Sequence, residues 1–307
     1  MKKEYLVFAT RTYQYLAEEF IDQNTFCSGE VLFQDFEDGE RQIRILSELH
    51  NRHVIVIGGT SSDIACLELY DLCSGLVQHG AHQLHVIIPY FGYGTQERVV
   101  NVGDVVIAKN RANLLTSIPV ANQNTSFTLF DLHSPGIAYY FDASCQCKEL
   151  SAKSIFIDVI EEVKTTSNEV VVASADAGRA KVVESFANAA GLAAAFVYKR
   201  RTKDNNKLVT GINADVKNKT VVLYDDIIRS GGSLVNAAKT YMDQGAQRVI
   251  ACASHGVFHA DTLNRIKSSG AVESVHITNS HPSFQMLDAD PYLHVHKIGS
   301  ILQNGFS

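Results

Sequence analysis

Two adjacent carboxylates, Asp225 and Asp226, are followed closely by Ser230-Gly231-Gly232-Ser233. Paired carboxylates accept hydrogen bonds from ribose hydroxyls or hold a hydrated Mg²⁺. Glycines let a backbone adopt positive φ and approach a ligand closely. Where a helix opens just beyond such a loop, its first N–H groups and its dipole make an anion site. A phosphate bound there gains charge-assisted hydrogen bonds of roughly 1.5–3 kcal/mol each. A turn and a helix cap would also use Gly-Gly and Asp. The order of the features, however, describes a site for a phosphorylated sugar.

The flanking residues supply the elements such a site needs. Val221 to Leu223 reads as a short buried strand stopping at the aspartates, and Leu234 to Met242 as a helix ended by Gly245. Neither G-x-x-x-x-G-K-[ST] nor a helix-opening G-x-G-x-x-G occurs, so the P-loop and dinucleotide fingerprints do not apply. The same order appears half a chain earlier: strand His53 to Ile57, loop Gly58 to Asp63, helix through Leu76, then strand Leu84 to Ile88. Two βαβ units imply an α/β protein of two similar domains, each a mostly parallel sheet flanked by helices. The expected division is residues 1–148 and 149–307, the last residues packing on the N-terminal domain.

Further chemistry-bearing residues stand at the ends of other apolar runs. After Val170 to Ala173 come Ser174-Ala175-Asp176-Ala177-Gly178-Arg179, where Asp176 suits a metal whose other face binds a diphosphate. Tyr198-Lys199-Arg200-Arg201-Thr202-Lys203 follows the strand Ala194 to Val197 and reads as a mobile clamp on developing phosphoryl charge. Phe130-Asp131-Leu132-His133 closes another strand, and Phe36-Glu37-Asp38-Gly39-Glu40 reads by itself as a polar turn.

Taken together these segments resemble the ribose-phosphate pyrophosphokinase (phosphoribosyl pyrophosphate synthetase) family, built from two tandem type I phosphoribosyltransferase-like domains. The resemblance runs from Phe36 to about Asn279-Ser280. It implies transfer of diphosphate from ATP to ribose 5-phosphate with Mg²⁺ as cofactor. Asp225, Asp226, Ser230, Gly231, Gly232 and Ser233 would hold ribose 5-phosphate, and Asp176, Ala177 and Gly178 would form the diphosphate loop. Metal would fall to His133 and Asp176. ATP would meet Phe36, Asp38, Glu40, Gln96, Arg98 and His133, the first three in a neighbouring subunit's site, so a homo-oligomer (dimer or hexamer) is implied. Lys199 and Arg201 would be the catalytic pair.

The departures from the family pattern are local. Val86-Ile87-Ile88-Pro89-Tyr90-Phe91-Gly92-Tyr93 is followed by Gly94-Thr95-Gln96-Glu97-Arg98, in which Thr95 replaces an ATP-contacting arginine. That variant resembles the divergent, plant-type subgroup. Ala175 stands for a proline and Arg179 for the second glycine of P-D-x-G-G, where Arg179 either adds charge to the loop or crowds it.

The whole chain is compatible with this reading. Its 307 residues are 46% hydrophobic and 20% charged, and a net charge of −6 argues against nucleic-acid or anionic-membrane partners. No apolar run approaches the ~20 residues of a membrane span. Met1-Lys2-Lys3-Glu4 leads into an ordinary strand rather than a signal peptide, and the six cysteines include only one close pair, Cys145-Gln146-Cys147. Reduced thiols in a cytoplasmic protein are expected. The rival readings are a phosphoribosyltransferase, which shares the Asp-Asp loop, and a non-catalytic regulatory partner of a synthetase.

Overall fold

The computed structural model describes residues 4–22, 25–142, 145–167, 169–175, 177–201, 208–259, 261–287 and 290–306. The chain divides into two compact units. The first comprises Met1–Ser151, Ser280–Pro282 and Ile298–Ser307; the second comprises Ala152–Asn279 and Ser283–Lys297.

The first unit contains β1 (Tyr5–Ala9), α1 (Gln14–Phe20), β2 (Phe26–Ser28), β3 (Val31–Asp35), β4 (Arg41–Ile45) and β5 (His53–Ile57). It continues with α2 (Asp63–Gln78), β6 (Gln83–Ile88), α3 (Ile107–Thr116), β7 (Asn124–Phe130) and β8 (Gln146–Leu150). Six strands form a parallel sheet in the order β2-β1-β5-β6-β7-β8. Val54 to Ile57 and Val86 to Ile88 are wholly buried, as expected where helices cover both faces of a parallel sheet. Leu69, Leu72 and Leu76 of α2 pack on Val56, Leu84 and Val86. β3 and β4 form a separate antiparallel hairpin, with Asp35 opposite Arg41 and Gly39 at φ +91° in its turn.

The second unit contains α4 (Lys153–Thr166), β9 (Val170–Ser174), α5 (Ala180–Ala190), β10 (Ala193–Arg201), β11 (Leu208–Ile212) and β12 (Thr220–Ile228). α6 (Gly232–Asp243), β13 (Arg248–Gly256), α7 (Thr262–Ser268), β14 (Ser274–Thr278) and β15 (Leu293–His296) follow. The sheet order is β11-β10-β9-β12-β13-β14-β15, parallel except for the β10–β11 pair. Phe156 of α4 and Phe186 of α5 meet Tyr224 of β12 edge-on at 5.3 and 4.8 Å, locking both helices onto the sheet.

A last helix, α8 (Gly299–Asn304), returns to the first unit and lies against α1. Gln303 Nε2 donates to the Phe20 carbonyl at 2.8 Å, and Phe306 stands 5.6 to 6.0 Å from the rings of Tyr5, Phe20 and Phe26. No helix among the described residues is long and apolar enough to cross a membrane.

Two strands outrun the sequence expectation. β12 does not stop at the aspartates: its ladder with β13 continues to Ile228 opposite Gly256, because Ile228 returns to the core and anchors the extension. β10 runs on to Arg201, since the antiparallel β11, with Thr210 opposite Lys199 and Leu208 opposite Arg201, supplies its hydrogen bonds. Periodicity can mark the apolar edge strand beyond the polar 202–207 segment, but not which strand it pairs with.

Candidate functional site

Parallel α/β sheets bind ligands outside the carboxyl ends of their strands. In the second unit that edge carries the turn after β9 and the loop after β12. Asp226 is buried in β12, and Asp225 beside it accepts the Asp226 backbone N–H at 2.9 Å. Burial and the neighbouring Asp226 push the Asp225 carboxyl up to about 8, while the Arg179 guanidinium pulls it down. Arg179 Nη2 meets Asp226 Oδ2 at 2.7 Å, with side chains only 16% and 8% exposed. The cation of the β9 turn thus pairs with a carboxylate of β12.

The loop that leads into α6 follows. Ser230 is exposed; Gly231 adopts φ +74° as the cap of α6, and a Cβ there would come within 2.8 Å of Ile266 Cγ1. Gly232 is different, since a Cβ on it would meet nothing nearer than Ser230 Oγ at 3.7 Å. The N–H groups of Gly232, Ser233 and Leu234 open α6 without a side-chain cap. Thr262 Oγ1 donates to the Arg229 carbonyl at 2.7 Å and ties α7 to the loop. Tyr241 of α6 donates to the Ser174 carbonyl at 2.9 Å and so fixes the end of β9 against the helix that the glycine loop opens. Ala177 and Gly178 lie in a short 3₁₀ turn ahead of α5, with Ala175 buried before them. Asp176, and Thr202 to Lys207, lie outside the described residues. Lys199 and Arg201 are in β10 rather than in a loop beyond it.

In the first unit the same sheet edge collects the remaining sequence-derived residues. His133 is half-buried just past β7, and a Cβ on Gly94 would sit 3.2 Å from its Cβ, so the β6 and β7 loops are in contact. Gln96 N–H donates to the Tyr93 carbonyl at 2.8 Å, while Arg98 is exposed beside Glu97. Tyr93 and Asp131 hold φ of +61° and +41° without being glycine, backbone conformations that cluster at ligand sites. Gly92 N–H donates to Thr60 Oγ1 at 2.6 Å, and a Cβ on Gly92 would fall 2.0 Å from the Thr60 carbonyl oxygen. Phe36, Asp38 and Glu40 occupy the exposed β3–β4 turn, with Phe36 N–H donating to the Glu40 carbonyl.

Sequence reasoning missed the residues that hold these loops. Arg11, directly after β1, forks onto Asp35 of the hairpin at 2.7 and 3.0 Å and donates from Nε to the buried Glu68 of α2 at 2.9 Å. Arg111 Nη2 reaches Asp63 at 2.6 Å and stacks on Tyr93, which donates to the same carboxylate. The available signal was position: Arg11 lies two residues past the carboxyl end of the parallel strand β1, where ligand loops begin. A cavity of about 320 Å³ between Tyr5, His53, His85 and Lys148 lies at the opposite, amino-terminal edge of this sheet and touches none of the sequence-derived residues.

Two parallel-sheet units, with an Asp pair and a glycine-opened helix at the carboxyl edge of the second, define a phosphoribosyltransferase-type α/β protein. The comparisons narrow this class. Residues 5–118 match the model for the N-terminal domain of ribose phosphate pyrophosphokinase, and residues 196–301 match the phosphoribosyl synthetase-associated domain. The ribose-phosphate pyrophosphokinase of Thermotoga maritima is 32% identical over 280 residues, covering 90% of this chain and 87% of that protein. That of Thermosipho africanus is 35% identical over 247 residues, covering 80% and 76%. The crystal structure of phosphoribosylpyrophosphate synthetase from Mycobacterium smegmatis superposes with a TM-score of 0.87 at 25% identity, over 99% of this chain and 97% of that one. The chain belongs to the ribose-phosphate pyrophosphokinase family.

Proposed function

We propose that the protein is a Mg²⁺-dependent ribose-phosphate diphosphokinase, converting ATP and ribose 5-phosphate to AMP and 5-phosphoribosyl 1-diphosphate. The observation that carries this reading is the Asp225–Asp226 pair, Asp226 buried, ahead of the glycine-opened α6: one feature suits sugar hydroxyls, the other a phosphate. Family membership supports the reaction.

The sugar's C1 oxygen attacks the β-phosphorus of ATP in line. The bond from that phosphorus to the oxygen bridging the α-phosphate breaks, AMP leaves with the bridging oxygen, and the proton of the C1 hydroxyl passes to solvent. Positioning and charge neutralisation carry such transfers, and no covalent enzyme intermediate is needed. Asp225 and Asp226 orient the ribose hydroxyls, and the loop Ser230 to Ser233 receives the 5-phosphate. Lys199 and Arg201 neutralise charge on the diphosphoryl group in flight. Gln96, Arg98 and His133 receive ATP, together with Phe36, Asp38 and Glu40 reaching in from a neighbouring copy.

The family resemblance implies that His133 and Asp176 would be donors to Mg²⁺, an ion that keeps its waters and binds substrate phosphates. When bound, the ion neutralises phosphate charge. The site belongs to a cytoplasmic homo-oligomer of the plant-type subgroup.

AMP release that requires both ribose 5-phosphate and Mg²⁺ tests the assignment, and Lys199→Ala should lower kcat by on the order of 10³–10⁵ with smaller changes in KM. A non-catalytic partner would release no AMP, and a phosphoribosyltransferase would consume 5-phosphoribosyl 1-diphosphate instead.

A further inference from the structure

Asp35 and Arg41 flank the exposed β3–β4 turn and stand opposite each other in the hairpin, and both are gripped from outside it. Arg11 forks onto Asp35 at 2.7 and 3.0 Å, and its Nε meets Glu68 of α2 at 2.9 Å. Arg41 Nε lies 3.2 Å from the same Asp35, and its Nη1 lies 3.6 Å from the same Glu68. The four side chains close a ring in which every charge meets two of the opposite sign. Building on the assignment of the turn to ATP, we propose that Arg11 and Glu68 are positioning residues: through this ring they aim Phe36 to Glu40 at the ATP site of a neighbouring copy.

The hairpin needs such a device. Among the described residues β3 and β4 pair only with each other, so no ladder ties them to the six-stranded sheet. A lone two-stranded hairpin is marginal in water. Phe33 and Ile43 pack on the core of the unit, but the paired positions 35 and 41 lie two residues further toward the tip. The tip's own hydrogen bonds, Phe36 N–H to the Glu40 carbonyl at 2.9 Å and Glu40 N–H to Asp38 Oδ1 at 3.0 Å, set its shape and not its direction. The ring supplies the direction. Its fixed point is Glu68, whose side chain is only 5% exposed and which also accepts the Arg11 backbone N–H at 2.9 Å. A carboxylate that far from water depends on its paired cations. Arg11 presents a planar fork to Asp35, which fixes orientation as well as distance, and its guanidinium lies over the Phe33 ring at 5.3 Å. Isolated surface ion pairs contribute little, whereas a bidentate pair in a network with a buried member holds its geometry.

Steady-state kinetics of AMP formation by the full protein, with ATP and ribose 5-phosphate varied in turn, tests this. Arg11→Met should raise KM for ATP at least about fivefold, while kcat and KM for ribose 5-phosphate stay within about twofold. Arg11→Lys, which keeps the charge without the fork, should fall between the two. Asp35→Asn, at the exposed side of the ring, should show the same ATP-selective rise and serves if the methionine variant fails to fold by thermal melting. Loss of stability alone would lower the melting temperature without separating the two KM values. Folded variants whose KM for ATP is unchanged, or whose two KM values rise together, overturn the proposal. AMP formation by the unmodified protein separates the two readings. If it occurs and the variants keep the original KM for ATP, only this inference fails; if it does not occur, the assigned reaction fails and the inference falls with it.

Discussion

At the scale of single residues, Asp225 shows how a largely desolvated carboxyl works against the fold that carries it. Its carboxyl is pushed from 3.8 up to about 8, chiefly by burial and then by Asp226. Between those values the native state holds a proton that the unfolded chain has released, so stability is full below about pH 4 and drains away as pH rises toward 8. His276 works in the other direction: burial, with His294 and His296 alongside, pushes it from 6.5 down to about 3, so its contribution is lost as pH falls below 6.5. From pH 6.5 to 8 only the Asp225 slope remains of the two. Thermal melts of the second unit should therefore fall over that interval. Asp225→Asn, whose amide keeps a donor toward Asp226, should flatten the decline and raise stability at pH 8 by about 1–3 kcal/mol while weakening sugar binding. A melting series that still falls as steeply in the asparagine variant would contradict this. The Asp pair was legible from sequence because two carboxylates beside Gly-Gly have few structural uses. Its ion pair with Arg179 was not, since sequence separation hides a contact made across the sheet edge.

At the scale of elements, the two glycines that open α6 have different duties. Gly231 needs its φ of +74° and the space beside Ile266, so Gly231→Ala should destabilise the second unit by about 2–4 kcal/mol, read by denaturant unfolding. Gly232 borders open space, so Gly232→Ala should change stability by less than about 1 kcal/mol and instead raise KM for ribose 5-phosphate. Equal loss of stability in both variants would show that the loop is built only for its turn. The strand–loop–helix order was legible because hydrophobic runs, glycines and helical spacing are local signals. The lengths of β10 and β12 were not, because ladder partners far along the chain set them. The Arg11–Asp35–Glu68 tie is hidden for the same reason: three residues from the turn after β1, the hairpin and α2 become one network only after folding.

At the scale of the molecule, duplication of one βαβ plan was readable from its repeated order, and the last segment belongs to the first unit. Leu302 of α8 is fully buried in a unit whose other elements nearly all precede residue 151. Leu302→Ala should cost about 2–5 kcal/mol, and the loss should appear in the first unit. Hydrogen exchange would locate it: faster exchange confined to residues of the second unit would disprove the assignment.

The return of α8 has a consequence for how the protein is made. Domains emerging during synthesis generally fold in order, N-terminal first. Here the first unit waits for residues 298–306, which include the ring that meets Tyr5, Phe20 and Phe26. The second unit's main segment, Ala152–Asn279, is translated before that piece appears. The nascent chain therefore closes like a clasp, the earliest strand secured by the latest helix. A ribosome stalled shortly before residue 298 would leave the oldest part of the protein incomplete while the younger part is nearly whole.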